Sequence, residues 1–515
     1  MNLPVQKSIK AINNAIAILS CTDIGNQFFD GKLFAAFSST SIPTPDPQSE
    51  TGFQLLYWKL RDLKSARDAV RSLLEVFDGR IVGLQKECNS LTLKYRFSSL
   101  PEDILQSIFE VGSTPDRNGC RFSVLVSHVC WRFREVTFRT PRMWNVIHDG
   151  QPMDQITTFL SRSKAVGICV FVGDVWALKS EFRRTSIEKF MDIVIRHNQC
   201  WSTFACYVGV SEDEGMHRFL AYPGLALPNL ITLSCSRMSS IDPAELDLFS
   251  SWVIPRLSHF NGLNVTLQPS IMGENLVSCQ LDFDGVDGDD DWSSTGVLHA
   301  LSSTRSLKEL RLKFENILSE HISTNMPTTS ISSLETFHIS FIDCNTSNLI
   351  QLMFALRMHN VSHLSVTFAF RNVGHEDSET LLDSVLPSSG HYPKLSSFDL
   401  TVLDAQLYHP SLLVFLAQRV PSSVKLSMQG IVFGPYSSKP WKSCPVSWAS
   451  ININLCDALS YKHIDLIIDT VKQSGKWDDF QTLKVSNCRG LSLSYLKDLK
   501  ASIGDKLDYQ LEYKL

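Results

Sequence analysis

Two hydrophobic periods divide this chain. Up to about residue 165 apolar residues recur at helical spacing. From 166 onward they fall into short runs that alternate in and out, each followed by a helical stretch. Positions 56, 60, 63, 67, 70, 74, 77, 81, 84, 88, 91 and 95 alternate steps of four and three, and hold Leu, Leu, Leu, Arg, Val, Leu, Phe, Ile, Leu, Cys, Leu and Tyr. Nearly six heptads, interrupted by Arg67, predict one long helix over 53–97 whose seam packs on another helix. Gly79 and Gly83 each lower its helix propensity by up to about 1 kcal/mol. The seam leaves two partners open: a second copy in a homodimeric coiled coil, or a later part of the same chain.

Residues 98–147 carry three helix signals in quick succession. Pro101 suits a first helical turn, with Ser98 or Ser99 upstream and Glu102 or Asp103 downstream as capping oxygens. Ile104, Leu105, Ile108 and Phe109 form a stripe that ends at GSTPDRNG, 112–119. A second stripe runs through Leu125, Val126, Val129, Cys130 and Phe133. A third helix is predicted from Thr140-Pro141, with Met143, Trp144 and Ile147 on one side. Helices this short cannot bury every apolar side chain they carry, so part of the surface is left for a partner. Ile108, Phe109 and Phe133 are assigned to the core, and Leu100 and Pro101 to a contact surface.

Beyond 166, VGICVFV at 166–172, STFACYVGV at 202–210 and NLITLSC at 229–235 read as strands. A fixed phrase then recurs, two apolar residues three apart and a third two further on. It appears as Leu307, Leu310, Leu312; Leu334, Phe337, Ile339; Val361, Leu364, Val366; Leu395, Phe398, Leu400; and Phe480, Leu483, Val485. Its middle positions fall at 204, 233, 260, 279, 310, 337, 364, 398, 424, 451 and 483, about 28 residues apart on average. Asn487-Cys488 follows the last strand clearly; Cys235 and Cys344 are weaker candidates for that place. Helices are predicted between strands at 183–197, 346–358, 405–419 and 460–474. Such units bury their apolar faces only by stacking.

Three phrases in order, LPEDILQSIF, SHVCWRFREV and TPRMWNVI, resemble the F-box in its fungal-type form, and the strand phrase resembles the L-x-x-L-x-L of leucine-rich repeats. The chain departs from the F-box pattern at Trp131, Arg132 and Phe133, where basic residues and then Trp are usual. The resemblance implies a non-catalytic substrate-recognition subunit of an SCF (cullin-RING) ubiquitin ligase. Leu100, Pro101, Ile104, Leu105, Val129 and Cys130 would meet a Skp-type adaptor, and through it a cullin. The alternative is a scaffold or signalling adaptor acting outside a ligase. The expected fold is multi-domain, α+β and α/β. It comprises an N-terminal segment and linker (1–52), the long helix (53–97), a three-helix F-box (98–150) and a curved α/β leucine-rich-repeat solenoid (151–515).

Charge and composition refine this picture. The 515 residues carry a net charge of −5, so no basic field argues for nucleic acid or an anionic membrane. Thirteen cysteines, none in C-x-x-C, read as reduced thiols of a cytoplasmic or nuclear protein. Val5, Ile9, Ile12, Ile16 and Leu19 predict an amphipathic helix rather than a signal peptide, and STSIPTPDPQSET at 39–51 a linker. No P-loop, G-x-S-x-G, G-x-G-x-x-G or H-E-x-x-H is present, and no cofactor or metal is expected. The acidic run DFDGVDGDDDW at 282–292 reads as a solvated loop, or as a patch for a basic partner. Residues between the repeated apolar positions should face solvent: Glu309 and Arg311, Thr336 and His338, His363 and Ser365, Ser397 and Asp399. A protein target is expected on this face, through Arg311, His338 and Asp399, and on the 435–448 insertion through Trp441.

Overall fold

The computed structural model describes residues 50–95, 100–113, 119–173, 186–208, 223–237, 249, 251–266, 268–285, 293–317, 326–344, 347–369, 375–387, 391–403, 408–409, 412–420, 424–433 and 448–510. Two compact units divide it, Met1–Pro101 and Glu102–Leu515. In the first, a single helix α1 spans Glu50–Tyr95. Its seam residues Leu60, Leu74, Ile81, Leu84 and Leu91 are 47–57% exposed, and Cys88 is exposed as well. The expected amphipathic helix near the N-terminus and most of the linker lie outside the described residues.

The second unit opens with helices α2 (Glu102–Gly112), α3 (Gly119–Ser127) and α4 (Trp131–Arg139). The stripe expected through 125–133 is thus split between two helices. Cys130 breaks it, adopting extended backbone as N-cap of α4, with its Sγ accepting from the Phe133 N–H at 3.4 Å. Phe109 and Phe133 meet edge-on at 5.0 Å in the core of the cluster. The third helix is a single 3-10 turn, Pro141–Trp144. Its Trp144 is buried, donates its indole N–H to the Thr137 carbonyl at 2.8 Å and stands edge-on to Phe159 at 4.9 Å. The chain then passes into strand β1 (Val146–His148), so Ile147 is a buried strand residue rather than a helical one.

β1 pairs in parallel with β2 (Ile168–Val172), reached through α5 (Met153–Ser163). The helical cluster therefore carries the first strand of the sheet, and backbone pairing crosses the boundary expected at 150. The sheet continues through β3 (Trp201–Val208), β4 (Thr232–Arg237), β5 (His259–Leu263), β6 (Ser278–Asp284) and β7 (Glu309–Glu315). β8 (Thr336–Ile342), β9 (His363–Ala369), β10 (Ser397–Leu403) and β11 (Lys425–Gln429) follow. β12 (Ser450–Asn454), β13 (Thr482–Ser486) and β14 (Leu507–Gln510) complete it. All fourteen strands are parallel and lie in sequence order, as in a repeat solenoid. Connecting helices include α6 (Ile187–Val194), α7 (Ser294–Ser302), α8 (Ser347–Ala355), α9 (His375–Val385), α10 (Leu412–Arg419), α11 (Tyr461–Gln473) and α12 (Leu493–Ile503).

Strict alternation sets the core. On β6 to β10 every second residue is buried. Register aligns Phe204, Leu233, Phe260, Cys279, Leu310, Phe337, Leu364, Phe398, Leu426, Ile451, Leu483 and Leu507 in one buried row. A second row stacks Phe283, Phe314, Phe341 and Phe368 ring on ring, 5.5, 6.1 and 5.6 Å apart and within 18° of parallel. Helices add Val297, Leu298 and Leu301, then Leu349, Leu352 and Met353, then Ile464, Ile467, Ile468 and Val471, all buried.

Several strands are left through a sharp bend. The residue after the strand takes positive φ at Asn264, Asn316, Asp343, Gly430, Leu455 and Asn487. Its N–H still donates to the next strand's end, as from Asn316 to Ile342 O at 2.9 Å and from Asp343 to Ala369 O at 2.8 Å. Asn and Asp tolerate this conformation best after Gly. At Gly430 a β-carbon would also collide with the Val402 carbonyl. The Cys344 and Cys488 expected after strands do follow such bends, buried, whereas Cys235 lies within β4.

Phe341→Ala should destabilise the second unit by about 3–5 kcal/mol, because it removes the middle of the ring stack. Ser365→Ala, on the opposite face, should change stability by less than about 0.5 kcal/mol. Denaturant unfolding followed by circular dichroism measures both. Equal effects would contradict the assignment of inner and outer faces.

Candidate functional site

The rows that alternate with the buried ones form the open strand face. Its central row holds Asn261, Gln280, Arg311, His338, Ser365, Asp399, Ser427, Asn452 and Lys484 in register across β5 to β13. Towards its flanks this row is tied by neutral hydrogen bonds, from Asn261 to Ser234 and from Asn452 to Ser427, each 3.3 Å. Charge gathers between them. Arg311 binds the Glu309 carboxylate at 2.7 Å, and His338 Nε2 lies 4.0 Å from the same carboxylate. Lys313 is paired to Glu315 at 2.5 Å.

The electrostatics follow from half-burial. Burial lowers the His338 pKa and the Arg311 guanidinium lowers it further, against opposing pulls from Glu309 and Asp399. Asp399 is raised by burial, partly offset by a hydrogen bond from Ser427 and by His338 and His363. Burial works against the Lys313 ammonium, yet the Glu315 carboxylate outweighs it and the pKa rises. The face thus presents a neutral imidazole between a cation and a carboxylate, a pattern suited to hydrogen-bonding groups of mixed polarity.

The structure brings three of the four expected target-binding residues onto one row: Arg311 and His338 on adjacent strands, and Asp399 two strands beyond. Trp441 and the insertion up to 447 lie outside the described residues; Trp448, its last residue, is buried. The acidic run does not begin in a loop. Asp282 and Asp284 are outward residues of β6, with Gln280 donating to Asp282 at 2.9 Å and Asn316 to Asp284 at 3.1 Å. Residues 286–292 are outside the described set.

The residues expected to meet an adaptor are placed unevenly. Leu100 is half-buried, whereas Pro101, Ile104, Val129 and Cys130 are exposed. Leu105, expected on that surface, is 0% exposed: it points into the α2–α4 core. Ile108, expected in the core, is 47% exposed. Ile104, Ile108 and Val111 in fact form a solvent-facing stripe on α2 at i, i+4, i+7. Leu125, Val129 and the 74%-exposed Trp131 present further apolar surface on the same cluster. Leu125 and Trp131 were named in the sequence without being assigned to a contact surface, and Val111 was not named, although it completes the stripe of Ile104 and Ile108.

Among the described residues, no three His, Cys, Asp or Glu side chains group as a cation site, and no helix is long and apolar enough to cross a membrane. Burial pushes the Cys279 and Cys344 thiols up to about 12, so both are neutral and act as small apolar fillers. No protein-family model matches the chain, and no curated protein matches it. Among solved structures, a crystal structure of a structural-genomics target protein from Bacteroides fragilis is similar over 66% of this chain and 80% of that one, at 10% identity and a TM-score of 0.29. At that score the likeness carries no argument.

The His338 environment is measurable. Its NMR titration midpoint should lie below the ordinary 6.5, and Arg311→Ala should raise it by removing a cation and freeing Glu309. Because the folded state holds the neutral ring, this histidine costs nothing above its unfolded pKa, and stability falls as pH drops below it. A midpoint unmoved by Arg311→Ala would show that the two side chains do not interact.

Proposed function

We propose that this chain recognises protein targets for an SCF-type ubiquitin ligase. Its helical cluster docks a Skp-type adaptor, its strand face holds the target, and the chain performs no chemistry itself. The observation that carries this proposal is the apolar surface on α2 to α4. Ile104, Ile108, Val111, Leu125, Val129 and Trp131 stand in solvent although Phe109, Phe133, Val136 and Trp144 already complete a core beneath them. Exposed apolar groups clustered in this way mark a protein contact. The phrases that resemble an F-box supply the kind of partner, and the stacked strand–helix units are read as leucine-rich repeats.

The strand face supports the other half. The face is polar and of mixed sign, and its basic residues Arg311, Lys313 and Lys484 each lie against a carboxylate. A nucleic acid would need a run of uncommitted Lys and Arg. A loop or extended peptide of mixed polarity suits this surface.

Ile104→Asp with Val129→Asp should abolish co-purification of a Skp-type adaptor and its cullin, with the circular dichroism of the chain unchanged, since charge in a desolvated apolar contact is heavily penalised. Arg311→Ala with Asp399→Ala should weaken capture of the target and leave adaptor capture intact. Adaptor capture that survives the first pair removes the ligase role. Capture of the target without any adaptor by the unaltered chain favours a scaffold outside a ligase.

A further inference from the structure

Helix α1 carries an apolar seam of which Leu60, Leu74, Ile81, Leu84 and Leu91 stand in solvent, and a helix in water draws most of its stability from packing such a face. In heptad terms positions 60, 67, 74, 81, 88 and 95 are a, and 56, 63, 70, 77, 84 and 91 are d. We propose that this seam pairs with the same seam of a second copy, and that the two helices run antiparallel.

Three observations bear on that occupant and that direction, and charge chooses between the directions. The first is register. An antiparallel pair sets a against d, and one alignment matches the whole seam with no overhang: 56 with 95, 60 with 91, 63 with 88, 67 with 84, 70 with 81, and 74 with 77 of the second copy. Leu74 and Phe77 then form the two central layers. The second is charge. Parallel pairing sets each a residue against its own copy, so the arginine at 67 meets itself, and the g and e lysines at 59 and 64 face each other. Antiparallel pairing sets position 67 against Leu84, with Glu87 one turn away, and places Arg71 opposite Asp78 twice by symmetry. Its like-charge match, 59 with 94, falls at the ends. The third is the outer surface. Gly79 and Gly83 occupy f and c positions, away from the seam, with nothing within 4 Å.

The area is sufficient. Residues 56–95 extend about 60 Å at 1.5 Å per residue, and a strip about 10 Å wide gives roughly 1,200 Å² for the pair, at the lower bound of specific interfaces. The two Tyr95 ends would then lie about 60 Å apart, at opposite ends of the helix pair.

The full chain should sediment as a dimer at micromolar concentration, and Leu74→Asp with Leu84→Asp should convert it to a monomer without changing the strand signal in circular dichroism. Direction is read by oxidation. Cys88 faces position 63 of the second copy in the antiparallel pair but faces Cys88 itself in a parallel one. Leu63→Cys in the full chain, oxidised with copper phenanthroline, should give an intermolecular 63–88 disulfide by peptide mapping. A chain that remains monomeric up to tens of micromolar overturns the pairing, and places the seam against its own chain or another partner. A link between two Cys88 residues overturns the antiparallel direction.

Discussion

A parallel strand can complete its backbone ladder only against a neighbour in register, and each strand of this sheet finds that neighbour in the next strand–helix unit. No unit is self-sufficient: its inward side chains stack on those of the units either side, ring on ring from Phe283 to Phe368. The positive-φ residues that close several of the strands serve the same constraint. They turn the chain off the sheet while their N–H groups add one more bond to the ladder. Burial and hydrogen bonding are thereby fixed by one repeated register, and the remaining features of the second unit inherit their positions from it.

The open face is the first of these. Since alternation commits one set of side chains to the core, the other set is delivered as an array at about 4.8 Å intervals along the rows. Arg311, His338 and Asp399 lie far apart in sequence but on one such row, and their mutual electrostatic influence follows from that placement. The helical cluster inherits its position too. It runs through the Pro141–Trp144 turn into β1, so the apolar surface on α2 to α4 is covalently and by backbone pairing continuous with the sheet.

Much of this register was legible in the sequence. The middle positions of the strand phrase at 204, 233, 260, 279, 310, 337, 364, 398, 451 and 483 fall in the buried row, because a period-two pattern names its own inward face. Position 424 does not, because Val424 is the buried residue two before the row's Leu426, and both fit the phrase. β1 and β14 were not legible, as Val146–His148 and Leu507–Gln510 are too short to show alternation. In the helical cluster, Leu105 and Ile108 lie on neighbouring edges of one stripe. Period alone does not say which edge faces inward; that is decided by Phe133 arriving against Phe109 from α4. The single helix expected through 125–133 failed at Cys130, whose capping role is invisible to hydrophobic spacing.

The claim on which the rest stands is that the strands lie in sequence order, parallel and in one register. Spin labels at Gln280 and Ser427, both on the central outward row and five strands apart, test it directly by pulsed electron paramagnetic resonance. The account predicts a single narrow distance distribution centred near about 24 Å, five interstrand steps of about 4.8 Å. A broad distribution, or one centred well beyond 40 Å, would contradict it.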